Sequence, residues 1–525
     1  MCKKILALAL ALVMTVTLFG CQEDPADPTT TGTAGTPAGQ PIEIPKSIGG
    51  NPIAGFDDQG NIAYGGDPSV LVDGDTAYLY VGHDTAPGDA YVIPEYLCYS
   101  SKDLINWNYE GVVLKMSDVP WADNNSAWAG QVAKHYDAVS GKDKYYFYYC
   151  SWNNKDAGKQ SIGVAVSESP TGPFVDIGGA LVMGSFTTDH TSDWNDIDPT
   201  VWIETDAKGV EHRYLAWGNG KLYVCELNED MVSVKDYNGD GEITFGNKGD
   251  IRSLGVPSGY TEGPWLYRRQ DESGQYYGPY YCFYASGWRE RLAYSTSEDE
   301  LMKAMWFDTA ALMEPATTSN TSHCAVFDFN GKTYMIYHNG SLVKGSGYRR
   351  VACIAELHFN DDGTIQFVTE TATGIGGTIS SITSLNGEAL THAHFVNTNN
   401  DADYPYENIT VGSGLAGTTA EDSWWEIVPG SCDKTNVHYV SIESYNKAGL
   451  YLTANQGNAV LSQDYAGIYG EAQTFKTVSG LAGSGVSFES VKFPGTYLTL
   501  KDGKATLTDG SDVSACSFTI ATVTE

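Results

Sequence analysis

Three acids of the 525-residue chain stand in matching local settings. Asp67 lies in Gly65-Gly66-Asp67-Pro68-Ser69-Val70, and Asp198 in Asn195-Asp196-Ile197-Asp198-Pro199-Thr200-Val201-Trp202. Glu262 lies in Thr261-Glu262-Gly263-Pro264-Trp265-Leu266-Tyr267. A proline follows each acid, directly or after one glycine, and a β-branched or aromatic run comes next. Proline cannot donate to a ladder, which suits the first residue of a strand. Asp-Pro and Glu-Gly-Pro also make ordinary turns, but three at equivalent places suggest one site. Carboxyls gathered in that way can cleave an acetal. One protonates the leaving oxygen while another activates water on the opposite face. Like charges close by keep the acid protonated at neutral pH. Asp198 is preferred to Asp196 because it directly precedes the proline.

Bringing three strand starts to one point calls for a radial architecture. Helical periodicity is almost absent. A strand rich in tyrosine and β-branched residues, led by a polar turn, recurs at 75–80, 142–148, 212–217, 275–281 and 331–337. Repetition at roughly 50–70 residues predicts an all-β fold, a five-bladed β-propeller over residues 50–375. Periodicity alone also allows a large sandwich. A second texture follows Ile375, in three similar stretches beginning at Ile382, Ile442 and Phe488. They close near Trp424-Trp425, Phe475 and Phe518, which predicts a β-trefoil over residues 376–525.

The formal charge of −34 disfavours nucleic acid, whose phosphates would be repelled. Lys3 and Lys4 precede an apolar run that ends at Leu18-Phe19-Gly20-Cys21. That order predicts a secretory signal over residues 1–20, too short for an ordinary membrane span. Leu18 to Cys21 resembles the bacterial lipobox, which implies export to a bacterial cell surface and membrane attachment through lipid on Cys21. Residues 21–49 are expected to be a tether, since Gln22 to Gln40 is mostly Pro, Thr, Gly, Ala and acids. The other eight cysteines beyond Cys2 and Cys21 read as buried small hydrophobes, not disulfides or a zinc site. Asp236-Tyr237-Asn238-Gly239-Asp240-Gly241-Glu242 has calcium-loop oxygen spacing, but Asn247 replaces the final glutamate. An ordinary polar turn is the preferred reading there.

Residues 50–375 resemble glycoside hydrolase family 43, whose five-bladed propellers act on arabinose- and xylose-containing polysaccharides. The resemblance rests on the blade-one Asp67-Pro68, on Ile197-Asp198-Pro199-Thr200-Val201 and on Thr261 to Tyr267. It implies an inverting reaction with Asp67 as general base, Glu262 as general acid and Asp198 tuning and orienting the acid. It also implies that Trp128, in Ser126-Ala127-Trp128-Ala129, lines the sugar pocket, although Gly130 replaces the family's proline there. His323, in Thr321-Ser322-His323-Cys324, matches a histidine that faces a structural calcium and its waters on the propeller axis. No cofactor is needed for the chemistry itself. Arg349 or Arg350, with Arg350 preferred, is expected beside the base.

The match around Asp118 to Trp121, Glu229 to Met231 and Met313 to Pro315 resembles arabinofuranosidases that debranch arabinoxylan. It points to removal of α-L-arabinofuranosyl residues from arabinoxylan or arabinan of the plant cell wall. β-Xylosidase and exo-arabinanase use the same carboxylates. Phe475 to Phe488 and Pro494 to Leu498 resemble the arabinofuranose-binding carbohydrate-binding module 42. Where that family has an Arg-His pair, this chain has Thr453-Ala454 and Thr499-Leu500, and only the first repeat carries histidines, His392 and His394. A structural trefoil is the competing reading of that domain. For the whole chain, the rival from another class is a non-catalytic glycan-binding lipoprotein.

Overall fold

The computed structural model describes residues 39–524 except 157, 188–191, 247, 272, 307 and 397–405. The expected signal, the lipid on Cys21 and most of the tether fall outside the described residues. From Gly65 to Glu356 the chain forms five antiparallel sheets in sequence order, the blades of a propeller. The first strands of the blades are Gly65–Asp73, Gly130–Asp137, Thr200–Thr205, Tyr260–Gln270 and Cys324–Phe329. The second strands are Thr76–His83, Lys142–Trp152, Glu211–Trp217, Tyr276–Ser286 and Lys332–Asn339. The five tyrosine-rich runs seen in the sequence fall on these second strands.

Those strands carry continuous aromatic runs because they are covered on both faces. Tyr146, Phe147, Tyr148 and Tyr149 are all buried. Phe147 and Tyr149 pack towards the first blade, while Tyr146 and Tyr148 pack towards the third. Tyrosine fills such a wedge and still finds a hydrogen-bond partner at its far end. Tyr80, Tyr148 and Tyr281 donate to the carbonyls of Pro170, Met231 and Gly363 at 2.7, 2.6 and 2.7 Å. The fifth blade has three strands of its own. The chain before the first blade lies along its last strand, Val351–Glu356. Ile53 N–H donates to Ala352 O at 2.9 Å, and the Asn51 side chain bonds both backbone groups of Ile354. The ring is thus closed by joining its two ends, which leaves no long open edge.

Beyond residue 379 a second all-β domain is built from one network of short strands, between Ser380 and Thr522. Its main core includes Trp425, Phe475 and Phe518, the closing aromatics of the three repeats, each fully buried. The trefoil reading of the sequence accounts for this placement. The structure differs from the expected tether over its last part. Ile42 N–H donates to Thr477 O, Ile44 enters the trefoil core, and Ser47 N–H donates to Ile427 O. Ile42 and Ile44 supply apolar surface that the composition of residues 22–40 lacks, so the chain docks there.

Where this segment meets the trefoil, Glu426 and Glu443 face each other across adjacent strands, both buried. Ser47 Oγ donates to Glu426 at 2.5 Å and Gly449 N–H to Glu443 at 2.7 Å. Burial, and then the charge of Glu443, pushes Glu426 up to about 8. Burial, with Glu370 nearby, pushes Glu443 up to about 7. The folded state therefore binds protons that the unfolded chain releases near 4.5. Stability is full at low pH and falls as pH rises through these folded values. The thermal midpoint should drop between pH 5 and pH 9, and Glu426→Gln should reduce that loss by at least ~1 kcal/mol.

Candidate active site

Asp67, Asp198 and Glu262 open onto one pocket at the propeller centre, together with Trp128, His323 and Arg350. All six residues singled out in the sequence are therefore brought together. Asp67 and Asp198 take left-handed backbone angles, φ 51° and 58°, and Gly263 after Glu262 has φ 65°. The ladder registers of the first and fourth blades shift at these points. A bulge of this kind turns a side chain out of the sheet and towards the axis. Left-handed non-glycine residues are uncommon, and such strain gathers at functional sites. Gly263 is required, since a Cβ there would stand 3.0 Å from His323 Nδ1 in an already left-handed backbone.

Asp67 is held from two sides. Arg350 Nη1 donates to its Oδ1 at 2.6 Å, and its own N–H donates to His338 Nδ1 at 3.1 Å. His338 Nε2 lies 2.9 Å from the Thr321 carbonyl, which fixes the proton on Nε2 and the lone pair on Nδ1. Burial, reinforced by the Arg350 cation, pushes the His338 imidazole down to about 3, so it stays neutral. Burial would raise Asp67, but Arg350 overrides it and holds this carboxyl below the ordinary carboxylate value. Arg350 is itself anchored by Asp84 beneath it, through its N–H, Nε and Nη2 at 2.9, 2.9 and 3.0 Å. Arg349 turns away instead, donating to the carbonyls of Lys344 and Gly88. Gly66 provides the room for this arrangement, because a Cβ there would stand 2.1 Å from the guanidinium carbon.

The other carboxyls sit in the opposite electrostatic setting. Asp198 accepts the N–H of Gly263 at 2.9 Å, which ties the third blade to the acid's own strand. Glu262 Oε2 accepts from Asn219 Nδ2 at 2.6 Å. Asn219 sits in a turn fixed to both blade entries, as its N–H donates to Asn195 O and Gly220 N–H to Thr261 O. Burial raises Glu262, and the charge of Asp67 adds to it, against the hydrogen bond from Asn219. Burial and the charge of Glu262 raise Asp198 well above the ordinary range. A fourth carboxyl, Glu290, lies almost wholly buried behind Glu262. Asp196 bonds Thr187 and Trp217 and does not line the pocket.

Trp128 forms one wall and packs against Trp194 and Trp152, with ring centroids 5.1 and 6.0 Å away. Its indole N–H is buried without a protein partner. Asp84, His338, Asn219, Glu290 and Trp194 were not singled out in the sequence. None stands in a motif; the folded ring brings Trp194 into the pocket wall and Asp84, His338 and Asn219 against the residues that line it. His323 is buried and its imidazole lowered, first by burial. Among the described residues no three His, Cys, Asp or Glu side chains gather as a metal cage. Calcium takes six to eight oxygens; the expected ion would draw them from water, with His323 the protein group that lines the pocket towards it. The acidic loop at 236–242 turns its oxygens on itself, with Asp236 accepting the N–H groups of Gly239 and Gly241 at 2.6 and 2.8 Å. It is the polar turn preferred from the sequence. All eight described cysteines are free, and seven are buried, Cys432 being the exposed one.

In the trefoil, the histidines of the first repeat join a cluster of polar side chains. His394 Nδ1 lies 2.9 Å from Asp422 Oδ2, and Asn446 Nδ2 donates to Asp422 Oδ1 at 2.9 Å. His392 is buried against Asn446. His394 is the part of this cluster that reaches solvent, with its side chain 35% exposed.

A ring of blades around a shared pocket, with one carboxyl held below its ordinary pKa and others raised above theirs, is an arrangement suited to cleaving a glycosidic bond. Residues 63–365 match the family described as Glycosyl hydrolases family 43, and the chain belongs to that family. Residues 389–519 match the Alpha-L-arabinofuranosidase B (ABFB) domain. The chain is similar to a Beta-D-galactofuranosidase xynD of Aspergillus niger, 29% identical over 53% of this chain and 76% of that protein. A Xylosidase/arabinosidase of Bacteroides ovatus is 26% identical over 58% of this chain and 94% of its own length. An Arabinoxylan arabinofuranohydrolase of Paenibacillus polymyxa is 28% identical over 59% of this chain and 51% of its own length.

Gly66→Ala tests the support of the base. The added methyl must push Arg350 off Asp67, and a misplacement of about 1 Å costs roughly 100-fold in rate. Without the cation, burial raises Asp67, so the acid limb of the kcat/KM profile should also move to higher pH. An unchanged limb would show that Arg350 does not set the state of Asp67.

Proposed function

We propose that this protein is an inverting α-L-arabinofuranosidase that removes arabinofuranosyl side residues from arabinoxylan or arabinan. The observation that carries the reading is the division of charge in the pocket, with Asp67 anionic beside Arg350 and Glu262 raised among buried carboxyls. Asp67 takes a proton from water as the water attacks the anomeric carbon. Glu262 gives its proton to the leaving oxygen as the glycosidic bond breaks. Asp198 fixes the Gly263 backbone on the acid's own strand, and the charge of Asp67 favours the protonated form of Glu262. Trp128 and Trp194 offer apolar faces to the sugar, and the buried Trp128 N–H is free to donate to a hydroxyl. The pocket is small, with a cavity volume of about 80 Å³. That size suits one terminal sugar rather than a threaded chain.

The substrate is supported by the ABFB match and by the arabinoxylan and arabinosidase names among the relatives. The cluster of His394, Asp422 and Asn446 gives the trefoil one candidate sugar contact, which would hold the enzyme on branched polymer. Lipid on Cys21 would keep it at the cell surface. β-Xylosidase activity is the alternative favoured by the xylosidase/arabinosidase relatives.

Wild type, Asp67→Asn and Glu262→Gln should be compared on arabinoxylan, aryl α-L-arabinofuranoside and aryl β-xyloside. General acid catalysis contributes about 10²–10⁴-fold. Glu262→Gln should lose roughly that much on arabinoxylan, and far less on an aryl glycoside whose leaving group needs little protonation. Asp67→Asn should fail on both. The first sugar seen by proton NMR should be the β-anomer. Faster release from the β-xyloside would shift the reading to β-xylosidase, and an initial α-anomer would exclude inversion.

A further inference from the structure

A loop of the trefoil, residues 464–469 just after its strand Asn458–Gln463, reaches the face of the propeller that carries the pocket. The loop is fixed from within, as the Asp464 carboxylate accepts the N–H groups of Ile468 and Tyr469 at 2.8 and 3.1 Å. On the fifth blade it meets the loop before Arg350. Lys344 N–H donates to Asp464 O at 2.9 Å, and Gln463 Nε2 donates to Gly345 O at 3.2 Å. On the first blade, the Tyr465 hydroxyl donates to Asp89 Oδ1 at 3.0 Å. The Arg349 guanidinium spans the two contacts. It lies over the Tyr465 ring, 5.6 Å from the centroid, and donates to Gly88 O at 3.0 Å.

Asp89 belongs to the segment that joins Thr76–His83 to Glu95–Ser101 in the first blade. The register sets His83 opposite Gly65, so this segment leaves the blade at the end where Asp67 enters. Its Tyr91 and Ile93 line the catalytic pocket. The Arg350 guanidinium lies over the Tyr91 ring at 5.3 Å, and the Tyr348 ring packs against it at 4.8 Å. At its base, Thr85 N–H donates to Val92 O at 2.9 Å. Its tip, Pro87 to Ala90, is exposed and borders a groove of about 710 Å³ between propeller and trefoil. Core packing therefore does not hold the tip. The bonds from Tyr465 and Arg349 do.

We propose that Tyr465 is a positioning residue through which the trefoil holds Tyr91 as a wall of the catalytic pocket, a role that rests on this pocket cleaving the glycoside. The trefoil then serves the reaction even on a substrate too small to reach its own polar cluster at His394. Asp67 and Glu262 keep separate anchors in Arg350 and Asn219. Loosening the loop should therefore weaken the grip on the sugar and leave the chemical step in place.

Tyr465→Phe removes the hydroxyl and keeps the ring beneath Arg349, while Asp89→Ala removes the acceptor. Loss of one such hydrogen bond costs roughly 3–10-fold in an equilibrium. Each variant of the full chain should raise KM by about that factor, with kcat within about twofold of wild type. Asp89→Asn keeps an acceptor oxygen and should restore KM to near the wild-type value. Tyr91→Ala should raise KM at least as much, and adding Tyr465→Phe to it should raise KM no further. The substrate is whichever of aryl α-L-arabinofuranoside and aryl β-xyloside the wild type cleaves faster. A bond that served stability alone would lower the melting temperature and the active fraction, and so kcat, with KM unmoved. An unchanged KM in Tyr465→Phe and Asp89→Ala would overturn the proposal, as would fold-changes that multiply in the Tyr91→Ala background. No cleavage of either glycoside by the wild type would instead remove the enzymatic reading on which it rests.

Discussion

One guanidinium orders the centre of this propeller. Arg350 is buried and divides its hydrogen bonds between Asp84, which fixes it, and Asp67, which it keeps ionised. Asp198, Glu262 and Glu290 are raised first by burial, and the charge of Glu262 raises the other two further. In a buried site a cation beside a carboxyl and a second carboxyl beside it have opposite effects. The base and the acid are therefore pushed in opposite directions within one pocket. The same chemical group performs two tasks because its surroundings differ.

The fold makes that division possible by bringing five separate strand entries to a common axis. Left-handed backbone at Asp67, Asp198 and Gly263 turns the functional groups inward where each blade begins. Two glycines mark the closest approaches, Gly66 under the guanidinium and Gly263 against His323. Outside the axis, tyrosines of the second strands lock three of the blades to neighbouring loops. The rigid periphery is what holds carboxyls in positions their mutual repulsion would otherwise open.

The propeller and its three acids were legible because both rest on local pattern. Tyrosine-rich strands, polar turns and acid-proline entries are short-range features that repeat. The trefoil was legible for the same reason, through its three similar stretches and their closing aromatics. What escaped were residues whose role depends on distant partners. Asp84 lies 266 positions from Arg350, and Asn219 lies 43 positions from Glu262. No spacing rule links such pairs. The docking of Ile42 and Ile44 escaped because two apolar residues beside a polar tether say nothing about the groove that receives them. Conversely, the choice between Arg349 and Arg350 needed only geometry, since one of the two reaches Asp67 and the other turns to carbonyls.

With Asp67 lowered and Glu262 raised, the two carboxyls should differ in protonation at neutral pH. Infrared difference spectra at pH 7 between wild type and single carboxyl-to-amide variants measure it directly. Glu262→Gln should remove a protonated-carboxyl C=O band, and Asp67→Asn should remove carboxylate bands while leaving that C=O band in place. Loss of a protonated-carboxyl band in Asp67→Asn, with none lost in Glu262→Gln, would contradict the account.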